Sequence, residues 1–136
     1  VPEGPLLVAD MGSCVTYDIL TAEDVFPGGV IAPGFRMRGR AMHAFTARLP
    51  EVAIARFDPV PLIGNDTISC MRSSLYYGIE FELLGYYERL KAEYPGLRVI
   101  ISGGDAHYFE RLVKDHIFVV PNLVLYGLNR ILKYHV

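Results

Sequence analysis

The residues best suited to chemistry fall in four short segments. The first is Asp10-Met11-Gly12-Ser13-Cys14-Val15-Thr16-Tyr17-Asp18. A glycine in a tight turn between strands lets backbone N–H groups approach a phosphate, and the Ser13 hydroxyl adds a donor beside it. Asp10, at a strand end, offers a carboxylate to the cation that accompanies a nucleotide. The same spacing also describes a plain hairpin with Gly12 as its turn residue. The second segment, Gly28-Gly29-Val30-Ile31-Ala32-Pro33-Gly34, surrounds a strand with breakers, which suits either a ligand or close strand–helix packing.

The third segment is Ser102-Gly103-Gly104-Asp105-Ala106, two glycines between a strand and a helix. Ligands in such sheets bind beyond the C-terminal strand ends, where helix starts present free N–H groups. Two missing Cβ atoms leave room for an adenine ring or a ribose. The dinucleotide fingerprint is excluded, because its third glycine is absent. A glycine turn with Asp105 as a helix cap explains the segment equally well. The fourth pairs Thr46-Ala47-Arg48-Leu49-Pro50 with Gly64-Asn65-Asp66-Thr67. Either could set a hydroxyl on a rim, and Thr67 also suits the cap of a long helix.

Other residues carry less. His43, His107, His116 and His135 have no ligand spacing. Cys14 and Cys70 are too few for a disulfide framework and read as two small buried thiols. Tyr76, Tyr77, Phe81, Tyr86, Tyr87 and Tyr94 belong to the long helix, as core or as a dimer face. Arg36, Arg38 and Arg40 read as a solvated edge, with Arg38 also able to pair with a carboxylate or a phosphate.

The elements that must position these groups follow from pattern. Leu6 to Ala9, Cys14 to Ile19 and Gly28 to Ala32 are expected strands of a meander. A helix is expected from Phe35 to Phe45, then a loop over residues 51–66 that holds Pro59, Pro61, Gly64 and Asn65. From Thr67 to about Tyr94 the apolar residues Ile68, Met71, Leu75, Ile79 and Leu83 step by three or four, the signature of one buried helical stripe. Pro95-Gly96 ends it. Strands at Leu97 to Ile101 and Ile117 to Val120 alternate with helices at Ala106 to Lys114 and Leu123 to about Tyr134. The order β-β-β-α-α-β-α-β-α implies an α/β domain whose later strands run parallel in a mixed five-stranded sheet with flanking helices, the ribonuclease-H-like layout.

Bulk composition agrees. The 136 residues suit one domain, and 51% apolar with 21% charged residues is globular rather than disordered. Thirteen basic against fifteen acidic residues give a net charge of −2, no electrostatic case for nucleic acid or an anionic membrane. No run approaches the roughly 18–20 apolar residues of a membrane span. The opening Val1-Pro2-Glu3-Gly4-Pro5 has no basic region of a signal peptide and no initiator Met, so upstream sequence is expected.

The order and spacing of the motifs carry more than any one of them. Asp10-x-Gly12-Ser13 with Thr16-Tyr17-Asp18, Gly29-x-Ile31-x-Pro33-Gly34 with Arg38, Thr46-Ala47-x-Leu49-Pro50, Gly64-x-x-Thr67, Ser102-Gly103-Gly104-Asp105-Ala106 and Leu123-Val124-Leu125-x-Gly127-Leu128 together resemble type III pantothenate kinases of the actin-like ATPase superfamily. The resemblance spans nearly the whole chain and implies its C-terminal, nucleotide-binding domain (residues 1–136), with an N-terminal half missing. It implies ATP-dependent phosphorylation of pantothenate to 4'-phosphopantothenate, the first step toward coenzyme A. A monovalent cation (K+ or NH4+), Mg2+, a homodimer and a cytoplasmic location come with it. Carried over by position, Asp10 would bind the monovalent cation and Ser13, with Gly12, the ATP phosphates. Thr67 would hydrogen-bond pantothenate, and Gly103 and Gly104 would line the adenosine pocket.

Departures from the family pattern are small within the chain: Ser13 and Ser102 stand where Thr is usual, Cys14 where Ala is usual, and Ser73-Ser74 where a Ser-Gly pair is common. The family's Asp-x-Gly-Asn-Thr phosphate loop and its Gly-x-Asp-Arg motif, which carries the general-base Asp, are expected upstream of Val1. No catalytic residue is therefore assigned here, and the chain alone is expected to be inactive. The rival readings are an accessory transcription regulator or binding module of the same fold, another actin-like kinase, and a dimerisation domain whose glycines serve packing.

Overall fold

The structure, a computed structural model, describes residues 4–55, 58–120 and 123. Strands β1 (Leu6–Met11), β2 (Cys14–Leu20) and β3 (Gly28–Pro33) form the expected antiparallel meander. Helices α1 (Phe35–Ala44) and α2 (Thr67–Glu93) follow, then β4 (Arg98–Ser102), a 3₁₀ helix (Ala106–Leu112) and β5 (Ile117–Val119). The sheet order is β3-β2-β1-β4-β5, with β4 parallel to both β1 and β5. This is the mixed five-stranded α/β sheet with flanking helices that the motif order implied. The last expected helix, from Leu123 to about Tyr134, lies outside the described residues apart from Leu123, as does most of the Leu123–Leu128 motif.

Alternation builds the sheet's inner face. In β2, Val15, Tyr17 and Ile19 are buried while their neighbours are half-exposed, the period-two pattern of a strand with one covered face. Leu7, Ala9 and Met11 of β1 and Val99 and Ile101 of β4 join them in one core. Met71, Leu75, Ile79 and Leu83 of α2 complete it, at successive four-residue steps. Ile68, the first residue of the expected stripe, is instead 47% exposed. It sits in the first turn of α2, before the helix reaches the core.

Three expectations need correction. The cap of α2 is Asp66 rather than Thr67, because Asp66 keeps extended backbone (φ −141°, ψ 173°) while Thr67 is already helical. Asp66 Oδ1 accepts from Ser69 N at 2.7 Å and Ser69 Oγ accepts from Asp66 N at 3.2 Å, a reciprocal capping box. The segment after Gly104 tightens into a 3₁₀ helix of seven residues, with no side-chain cap from Asp105. Cys70 is exposed and Cys14 half-buried, so the thiols are not a buried pair.

Two measurements check this account. Ile79→Ala, at a fully buried position, should cost about 2–5 kcal/mol in urea unfolding. The hydrogen bonds from Ser69 hold the Asp66 carboxyl below its ordinary 3.8. A lowered folded-state value means the cap is at full strength above the ordinary carboxylate range and fades as pH falls through the lowered value. The difference in thermal midpoint between wild type and Asp66→Ala should therefore be widest near neutrality and shrink only in strong acid.

Candidate functional site

The parallel pairing of β1 with β4 sets Asp10 opposite Ser102, so the two side chains stand next to each other on one face of the sheet. Just beyond, the chain turns at Gly12-Ser13 and at Gly103-Gly104. The two turns are tied together: Asp105 N donates to Met11 O at 3.0 Å. Gly103 has φ 96°, and a Cβ there would run into the Asp10 carboxylate and the Met11 backbone. Glycine is thus required by both conformation and space. Gly104 is exposed, and an added Cβ would meet nothing within 4 Å, so one side of this turn is open.

Helix α1 abuts the same edge. Gly34 N donates to Ser13 O at 3.1 Å, and a side chain at Gly34 would strike the Gly12 and Ser13 carbonyls. Gly34 caps α1 without a side-chain hydrogen bond, and its first turn holds no acidic residue. The positive end of the helix therefore lies beside the Gly12–Ser13 turn, with no acidic residue of its own first turn to offset it. Gly12 N–H is spent within the turn on Cys14 O at 3.0 Å, so Gly12 shapes the turn rather than offering a donor. The exposed Ser13 hydroxyl has no partner among the described residues.

The three arginines of α1 are far from a uniform solvated edge. Arg38 Nη2 donates to both Glu82 oxygens at 3.0 and 2.9 Å, and its Nε donates to Pro33 O at 2.8 Å. Tyr17 OH donates to Glu82 Oε1 at 2.8 Å. Burial, then the Glu82 contact, push the Tyr17 hydroxyl far above its usual value, so it remains a donor throughout. This network joins β2, α1 and α2. Arg36 forks onto the buried Asp105 at 3.1 and 3.3 Å. Arg40 lies 3.8 Å from Glu51. A cavity of about 320 Å³ beside Ser13 is lined by Arg36, Met37, Arg40, Ala41, Ala44 and Phe45.

Thr67 lies apart. It is exposed at the start of α2 and lines a different cavity, with Met42, Leu49, Gly64, Asn65 and Cys70 among its walls. Asp10, Gly12, Ser13, Gly103 and Gly104 thus share one edge, and Thr67 lines a separate cavity on another face of α1. The Asp10 carboxylate is half-buried and has no cationic partner among the described residues, and the buried Ser102 Oγ beside it has no hydrogen-bond partner. That pair fits a cation with oxygen ligands. No group of three or more His, Cys, Asp or Glu among the described residues could cage a metal.

Sequence reading missed Glu82 and the Arg36–Asp105 pair. Their partners lie 44 and 69 residues away, so no local spacing announces them. Gly103→Ala should cost at least about 1–2 kcal/mol, measured by chemical denaturation, because of its backbone conformation alone. Gly104→Ala, with open space around it, should unfold close to wild type.

The Type III pantothenate kinase family profile matches residues 1–89. A type III pantothenate kinase of Phocaeicola vulgatus is 43% identical over 134 residues, covering 98% of this chain and 54% of that protein. Those of Flavobacterium psychrophilum and Porphyromonas gingivalis are 37% and 38% identical over 133 and 136 residues. They cover 98% and 99% of this chain, and 54% and 56% of those proteins. The chain thus spans about half the length of the curated relatives it matches. A conserved Campylobacter jejuni protein assigned to the Baf family of transcriptional activators shares the fold, with TM-score 0.72 at 20% identity over 99% of this chain and 59% of that one. With the profile covering well over half of its residues and the turns at Gly12 and Gly103 on one sheet edge, this chain belongs to the type III pantothenate kinase family.

Proposed function

We propose that this chain is the nucleotide-binding half of a pantothenate kinase, which transfers the γ-phosphoryl group of ATP to the 4'-hydroxyl of pantothenate. The observation that carries the reading is the β1–β4 pairing, which gathers Asp10, Gly12, Ser13, Gly103 and Gly104 at one edge. A ligand reaching from one turn to the other meets a hydroxyl, a helix N-terminus and an open glycine face. Those are the features that phosphates and an adenosine need.

In this reading Ser13 donates to the phosphates and Gly12 sets the turn that aims it. Gly103 lets the second turn pack on β1, and Gly104 leaves the space for adenosine. Asp10, with the Ser102 hydroxyl at its side, holds a monovalent cation, K+ or NH4+, that offsets phosphate charge. Magnesium, when bound with the phosphates, would supply further neutralisation of their charge. Thr67 hydrogen-bonds pantothenate. The cavity that Thr67 lines is separate from the one beside Ser13, and the enzyme works as a homodimer in this reading. Phosphoryl transfer works by alignment and charge neutralisation rather than covalent chemistry. One domain provides only one wall of the cleft, and the upstream half supplies the general base. Among the described residues no helix is long and apolar enough to cross a membrane.

Two assays test the reading. ATP with potassium should raise the thermal midpoint of this chain, because a ligand that binds only the folded state stabilises it. With ATP, magnesium, potassium and pantothenate, the chain alone should form no phosphopantothenate, whereas the full-length protein carrying it should. A full-length protein that is stabilised by ATP yet phosphorylates no pantothenate would refute the assignment.

A further inference from the structure

We infer that Arg36 is a nucleotide-binding residue: held by Asp105, its guanidinium contacts the phosphates of ATP beside Ser13. The inference rests on the nucleotide site proposed above and adds a residue that the motifs do not assign.

Three observations carry it. The first is position. Arg36 is the second residue of α1, whose cap Gly34 is hydrogen-bonded to Ser13. It reaches over the C-terminal end of β1 to Asp105, whose own N–H is bonded to Met11. The guanidinium therefore lies between the two glycine turns that the nucleotide would span.

The second is unused donor capacity. A guanidinium has five N–H groups. Arg36 gives Nη1 and Nη2 to Asp105 and has no other partner among the described residues. Its side chain is 63% exposed while that of Asp105 is 6% exposed. Breaking the pair would strand a buried carboxylate, so Arg36 keeps Asp105 and turns its remaining N–H groups outward. A guanidinium fixed in this way loses little freedom when it meets a phosphate.

The third is charge. The cavity beside Ser13 is lined by two guanidinium-bearing residues, Arg36 and Arg40, and by no carboxylate. The two arginines are four residues apart on one face of α1. Arg40 is 73% exposed and lies only loosely, at 3.8 Å, from Glu51. An anionic ligand suits this lining, and a polyphosphate can reach it from Ser13.

The test uses the full-length kinase carrying this chain, with KM for magnesium–ATP and for pantothenate measured separately. Arg36→Gln should raise the KM for ATP about tenfold, equivalent to about 1.4 kcal/mol. The KM for pantothenate should stay near wild type, while the thermal midpoint falls because the buried Asp105 loses its partner. Arg36→Lys should recover part of the loss, and Asp105→Asn, which only loosens the aim of Arg36, should raise the KM for ATP less than Arg36→Gln does. An active wild type whose Arg36→Gln variant shows an unchanged KM for ATP overturns the inference alone. So does an equal rise for Arg36→Gln and Asp105→Asn with equal loss of thermal midpoint, since that marks a pair serving only to pin the turn. A wild type that neither turns over nor is stabilised by ATP sinks the kinase reading, and the role of Arg36 with it.

Discussion

The parallel ladder between β1 and β4 is the constraint on which the rest of the molecule depends. These strands are separated by more than 80 residues of chain, and their register puts Asp10 against Ser102. Once that register is set, the two following turns have nowhere to go but the same edge. The Asp105–Met11 hydrogen bond and the bare Cα of Gly103 then close them onto each other. A slip of one residue would move Asp10 to the opposite face, because strand side chains alternate. The buried alternation of Leu7, Ala9 and Met11 opposes such a slip, since each would leave the core together.

Helix α1 is the second wall of the site, and its attachment is polar as well as apolar. Phe35 stacks on Phe109 at a centroid separation of 5.4 Å and fixes the helix start from below. Arg38 clamps onto Glu82 while Glu82 accepts from the buried Tyr17. A partly buried ion pair gains little by itself against its desolvation cost. What it supplies here is direction: with Arg38 fixed toward α2, the neighbouring Arg36 and Arg40 face the sheet edge. The same short helix thus faces α2 with one arginine and the candidate site with two.

Separation of Thr67 from the turns at Gly12 and Gly103 has a physical basis. Its cap box holds the start of α2 as a rigid unit, and Gly64 packs closely against that first turn. The hydroxyl is presented outward at a helix start instead of into the Ser13 cavity.

Much of this was readable from residue order. Period-two and period-four apolar spacing located the strands and the long helix, because burial of one face needs only local repetition. The glycine turns, and the resemblance they carry, were legible because backbone geometry restricts what can stand at Gly103 and Gly34. The cap of α2 was misplaced by one residue, since the partner at its third position is Ser69 rather than the usual Glu or Gln. The 3₁₀ helix was read as an α-helix, since a stretch of seven residues bears no period that separates the two. What only the tertiary structure decided is which distant groups meet: Arg36 with Asp105, Arg38 with Glu82, Asp10 with Ser102. Sequence by itself determines each segment's backbone preference and buried face, whereas pairing across 44 to 92 residues depends on how the whole sheet and its helices close around one core.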